Sequence, residues 1–136
     1  MGRVVGLDPG SVRIGVAVGD PLGLTAQPHS TLDAAAPDLD DRLRRLAADT
    51  GADRFVVGLP ISLDGSEGAG AVRARALAAR VEAATGLPVD LHDERFSTVT
   101  AERVLISAGL RRIRRRQARD RVAAAVFLQS YLDGRR

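Results

Sequence analysis

Two Val-rich apolar runs open the chain, at residues 3 to 8 and 13 to 18, and between them lie Asp8-Pro9-Gly10-Ser11, the residue types of a tight turn. This pattern predicts a β-hairpin. Residues 25 to 32 form a weaker third strand candidate, interrupted by Pro28, which confines it to an edge or a bulge. From 38 to 50 the positions Leu39, Leu43, Leu46 and Ala47 recur at helical spacing and stop at Gly51, as a helix with a glycine C-cap does. Arg54-Phe55-Val56-Val57-Gly58-Leu59 does not alternate, so it reads as a central parallel strand covered on both faces. After the loop ISLDGSEG, Val72, Leu77, Val81 and Ala84 mark a second helix, closed by Gly86 with Pro88 beyond. Residues 89 to 92 supply another strand. Ser97 or Thr98 is placed to N-cap a third helix ending near Gly109, and a last helix runs from about 118 to 132 after an Arg-rich segment. A hairpin-led sheet that continues into βαβ crossovers implies a mixed α/β fold.

Three acids stand where the pattern gives them little structural reason. Asp8 closes the first apolar run, Glu94 follows VDLHD, and Asp120 opens the apolar pattern DRVAAAVFLQSYL. A carboxylate moved into an apolar interior protonates, pairs with a cation or binds a metal. Each also has an ordinary reading. Asp8 fits an Asx turn onto the backbone N–H of Gly10 or Ser11, Glu94 fits a partner for a helix N-terminus, and Asp120 fits a helix cap. Together the three are more specific, because Mg²⁺ takes carboxylate oxygens while keeping waters. Two such ions roughly 3.5 to 4 Å apart support phosphodiester hydrolysis. Asp90, His92 and Glu94 alternate onto one face, but His29 and His92 lack ligand spacing and are left out of the metal set.

Composition narrows the function classes. The 136 residues suit a single domain spanning 1–136, and all 20 bases are Arg, against 17 acids. Coding bias accounts for much of that preference. Even so, Arg111, Arg112, Arg114, Arg115, Arg116, Arg119 and Arg121 surround Asp120, where guanidinium groups would neutralise the phosphates of a nucleic acid. With only four aromatic residues and no Trp, contact to the backbone is favoured over stacking of many bases. The absence of Cys excludes disulfides and thiolate metal sites. No apolar run approaches the ~18 residues of a membrane span, so no membrane partner and a cytoplasmic location are expected. The Gly-rich start has no G-x-x-x-x-G-K-[ST], and Asp8 lies where G-x-G-x-x-G would need glycine.

Four blocks in order, GLDPGSVRIGVAVGD, VVGLPISLDGSEG, DERFSTVTAE and RDRVAAAVFLQSYLD, resemble the YqgF/RuvX family over nearly the whole chain. The resemblance implies a ribonuclease H-like mixed sheet of five strands, the first three antiparallel, flanked by helices. It implies a nuclease of precursor 16S rRNA or a Holliday-junction-resolvase-like protein, with Asp8, Glu94 and Asp120 as catalytic residues and ligands of Mg²⁺ or Mn²⁺. It also implies that Ser11, Arg13, Asp64, Gly65, Arg95, Ser97 and Thr98 line a substrate groove, to which the basic run adds Arg116 and Arg119. Ser11 stands where Thr is common and Arg13 where Lys is common, so hydroxyl and positive charge both survive. Precursor rRNA in the small ribosomal subunit is the expected partner, branched DNA the alternative, and the chain a monomer or weak homodimer. A non-catalytic RNA-binding assembly factor is a further alternative. An actin-like ATPase is disfavoured by a length that holds one such domain rather than two.

Overall fold

The computed structural model describes residues 2–60, 65, 67–93 and 112–135, with side chains of the last stretch from 120 onward. Its first two strands, β1 (Arg3–Pro9) and β2 (Arg13–Gly19), form the predicted antiparallel hairpin, with Asp8 opposite Gly15. β3 (Ala26–Asp33) pairs antiparallel with β2 at the sheet edge. Its register shifts where Pro28 faces Ala17 and Ser30 faces Val16, leaving His29 as the extra residue. Pro28 lacks an N–H for the ladder, so the strand is at once an edge and bulged.

Helix α1 (Leu39–Thr50) buries Leu39, Leu43 and Leu46 and ends at Gly51, whose φ of 69° is left-handed and whose N–H bonds the Ala47 carbonyl. The chain then enters β4 (Ala52–Leu59), which lies parallel between β1 and β5 (Val89–Asp93). The sheet order is β3-β2-β1-β4-β5.

Between β4 and β5 runs α2 (Ala69–Thr85). Its buried stripe is Ala71, Ala74, Leu77 and Val81. Val72, read from the sequence as part of that stripe, is instead 70 % exposed. Five residues from Leu77, it sits about 140° around the helix, and the small Ala71 and Ala74 face the sheet in its place.

The last helix, α3 (Arg112–Gly134), starts about six residues earlier than the pattern suggested. Arg, Gln and Ala are good helix formers and neither Gly nor Pro interrupts 112 to 133, so the basic segment joins the helix. The predicted helix from 97 to 109 lies outside the described residues.

Strand alternation sorts the core into two layers. Val5, Leu7, Ile14, Val16, Phe55 and Val57 face α1 and α2. Val4, Ala17 and Val56 face α3, which contributes Ala124, Phe127, Leu128, Tyr131 and Leu132. Phe127 and Leu128 are fully buried, each contributing about 1.5–3 kcal/mol by transfer from water. No helix among the described residues is long and apolar enough to cross a membrane.

Candidate active site

The α3 face of the hairpin is made of small residues. On β1 it reads Val4, Gly6, Asp8, and on β2 Gly15, Ala17, Gly19. A Cβ on Gly6 would lie 3.0 Å from the Leu128 Cβ, and one on Gly15 would fall 2.0 Å from the Asp120 carbonyl oxygen. The helix backbone therefore rests directly on β2 at Gly15, where no other residue fits. Asp8 is the Cα partner of Gly15 across the hairpin, about 5 Å away in an antiparallel pair, and shares its face of the sheet. Asp8 and Asp120, 112 positions apart in sequence, are thus brought to either side of one glycine.

Asp120 is the ninth residue of α3, counted from Arg112, so the helix-cap reading fails: its first turn lies two turns upstream. The carboxylate instead meets a cation. Arg13 Nε donates to Asp120 Oδ2 at 2.6 Å, with the two side chains 36 % and 25 % exposed. Arg13 stands two residues before Gly15 on β2 and so shares its face. Arg13, which the resemblance places in the substrate groove, thus stands beside one of the three acids. A partly exposed pair of this kind contributes about 0.2–1 kcal/mol and leaves the carboxylate reachable from solvent.

Ser11 lies exposed in the turn between β1 and β2 and lines a hollow on the α1/α2 side. Gly65 is exposed with a left-handed φ of 89°. Arg116 and Arg119 belong to α3, with side chains outside the described set. Glu94, Asp64, Arg95, Ser97 and Thr98 lie outside the described residues. Of the alternating face expected on β5, Asp90 and His92 do point to α3: Asp90 accepts from the Tyr131 hydroxyl, and His92 Nε2 lies 3.2 Å from Ser130 Oγ. Arg54 also bonds Asp90, at 3.0 Å, so these groups are held by one another.

Among the described residues no three His, Cys, Asp or Glu side chains gather as a metal-ligand set. Asp8 and Asp120 alone nevertheless suit a hard ion, since Mg²⁺ is commonly held by one or two carboxylates plus water and substrate phosphates.

Known proteins share the sequence and the fold of this chain. The family model for RuvX, described as Holliday junction resolvase, matches residues 2–134. The chain belongs to the RuvX family. Among its relatives is a Moorella thermoacetica protein, 49 % identical over 133 residues that cover 96 % of this chain and 94 % of that one. A Geobacillus kaustophilus protein is 46 % identical over 137 residues, covering 98 % and 99 %. Both are named provisionally as pre-16S rRNA nucleases. In fold, this RuvX family member resembles Thermus thermophilus RuvC, solved in complex with a Holliday junction substrate, with a TM-score of 0.60 at 18 % identity over 99 % of this chain and 96 % of that one. The mixed five-stranded sheet with an antiparallel first half is thus ribonuclease H-like, as the sequence implied.

Sequence reading missed Gly15. Its signal was present: Gly6, Gly15, Ala17 and Gly19 fall on one side of two Val-rich strands, which is how a sheet admits a closely packed helix.

Proposed function

We propose that this protein is a divalent-metal-dependent endonuclease that hydrolyses phosphodiester bonds in the 5′ region of precursor 16S rRNA. The observation that carries the reading is the convergence of Asp8 and Asp120 on Gly15, at the end of the sheet where β1 terminates. The provisional naming of the relatives supports the substrate. In this reading Asp8, Asp120 and Glu94 hold Mg²⁺ or Mn²⁺, which when bound would supply an activated water and charge neutralisation at the phosphate. Asp8 offers its carboxylate from a strand fixed by ladders on both sides, and Asp120 offers its own from a helix seated on Gly15. Both are therefore preorganised, which is what positioning of an in-line attack requires. Arg13 orients the Asp120 carboxylate, and the arginines at the start of α3 attract the polyanion.

The test is cleavage of an end-labelled precursor 16S rRNA fragment with Mg²⁺ or Mn²⁺ by the wild type and by Asp8→Asn. Loss of a metal-ligand carboxylate should lower the rate by at least about 100-fold while the thermal transition stays near that of the wild type. Equal cleavage by the two proteins would remove Asp8 from the chemistry.

The description of the matching family favours a second reading, resolution of four-way DNA junctions. That reaction needs two sites acting on two strands, so it predicts a symmetric dimer and paired nicks in a synthetic junction. Cleavage of the RNA by a monomer that leaves junctions intact decides for the first reading. Metal-insensitive binding without any cleavage would instead indicate a non-catalytic assembly factor.

A further inference from the structure

On the opposite face of the sheet from Asp120, the β1–β2 turn roofs a cavity of about 280 Å³ whose walls include Gly10, Ser11, Ile14, Leu77, Arg73 and Arg80. The turn is tight, because a Cβ on Gly10 would come within 2.4 Å of the Arg13 carbonyl oxygen. Arg73 and Arg80 are seven residues apart on α2, two helical turns, so both guanidinium groups stand on one side of that helix, roughly 10 Å apart along its axis. Asp40 of α1 accepts from Arg80 Nε at 2.6 Å and so fixes that side chain at the rim. The floor is apolar, with Ile14 and Leu77 largely buried.

An apolar floor with two guanidinium groups, a serine hydroxyl and glycine backbone at its rim matches a sugar-phosphate unit, not a neutral peptide. The larger hollow at the other end of the sheet, about 490 Å³, offers no such preference. Asp20 and Asp53 line it together with Arg54 and Arg135, whereas among the described residues no acid lines the cavity under the turn.

We infer that Arg73 and Arg80, with the Gly10-Ser11 turn, form a phosphate-binding subsite that holds the nucleic-acid strand beside the scissile bond on the α2 side of the sheet. Gly10 follows Asp8 by two residues, no more than about 7 Å of chain. A strand lying across the turn therefore reaches both the acids and the arginines. The inference rests on the nuclease reading for its substrate, but its binding test stands apart from cleavage.

The experiment uses a fluorescein-labelled 12-nucleotide single-stranded RNA and the full chain carrying Asp8→Asn, with anisotropy titrations between 50 and 200 mM salt. Each neutralised phosphate contributes about 0.7 to the slope of log affinity against log salt for single strands. Relative to the Asp8→Asn parent, added R73A and R80A together should flatten that slope by about 1.4. R73K with R80K should restore it, since the charges return. R75A should leave it unchanged, because Arg75 lies outside the cavity lining. Coincident slopes for the R73A/R80A and R75A proteins, or no RNA binding by the parent, would overturn the inference. Cleavage by the wild-type chain is scored separately: its absence would sink the hydrolase reading and leave the slopes to judge the cavity.

Discussion

Replacing Gly15 by Ala tests the seat on which the two described acids depend. The added Cβ would lie 2.0 Å from the Asp120 carbonyl oxygen, and real Cβ contacts essentially never fall below 3.0 Å, so helix and strand must part by about 1 Å. The obstacle is backbone, which has no rotamer to escape into. Overpacking of this kind costs about 1–3 kcal/mol, and at roughly 4 °C per kcal/mol for a chain of this size the melting temperature should fall by about 4 to 12 °C. The same displacement carries Asp120 away from Asp8, and a 1 Å error in reacting geometry costs about 100-fold in rate. Gly19→Ala supplies the comparison, because its nearest contacts are the Val4 carbonyl at 3.3 Å and Leu132 Cδ1 at 3.5 Å. Calorimetric melting and metal-stimulated RNA cleavage are measured for both variants. Gly15→Ala should lose far more activity than Gly19→Ala when the two are compared at temperatures equally far below their own transitions. Equal activity under that condition would refute the claim that Gly15 sets the distance between the acids.

Arg13→Ala removes the guanidinium 2.6 Å from Asp120 and so raises the negative potential at the two carboxylates. Mn²⁺ affinity, read by calorimetry in the absence of RNA, should tighten up to about fivefold, the equivalent of about 1 kcal/mol; weakened Mn²⁺ binding would count against a site at Asp120. Tyr131→Phe removes the hydroxyl donor to Asp90 and should cost about 1 to 2 kcal/mol in urea unfolding at pH 8. Burial first, and the bond to Asp90 second, push the Tyr131 hydroxyl above the usual tyrosine value, so wild-type stability from this group is complete below about pH 10 and declines as pH rises through the folded-state value. The gap between wild type and Tyr131→Phe should therefore narrow above pH 10. A constant gap would mean the hydroxyl titrates alike in both states. The chain has one Tyr and neither Lys nor Cys, so absorbance at alkaline pH follows this residue alone.

Much of the fold was legible because local chemistry and global topology agree. Pro28 could neither donate to a ladder nor sit centrally, and it occupies a bulged edge strand. Gly51 and Gly86 end their helices at φ values of 69° and 72°, which only glycine adopts readily. The run from Phe55 to Leu59 was unalternating because helices cover both its faces. Other features depend on partners that no local pattern encodes. The phase of α2 is set by how closely Ala71 and Ala74 let it approach, so the bulkier Val72 misled a reading based on hydrophobicity alone. The ion pair of Arg13 with Asp120 spans 107 residues and is fixed by helix docking, which neither residue's neighbours reveal.

The direction of the strands explains why the candidate site lies at this end of the sheet. β1, β4 and β5 are parallel, so their C-terminal ends share one edge, the usual location of functional groups in sheets of this class. β2 runs the other way, and its first residues, Arg13 and Gly15, return to that same edge beside Asp8. A helix crossing β2 there meets a carboxylate on the neighbouring strand and a guanidinium on its own, with glycine between them to let its backbone settle. An acid on its contacting turn then arrives next to both. The hairpin thus supplies one carboxylate, the cation that steadies a second, and the gap that lets the helix bring Asp120 in.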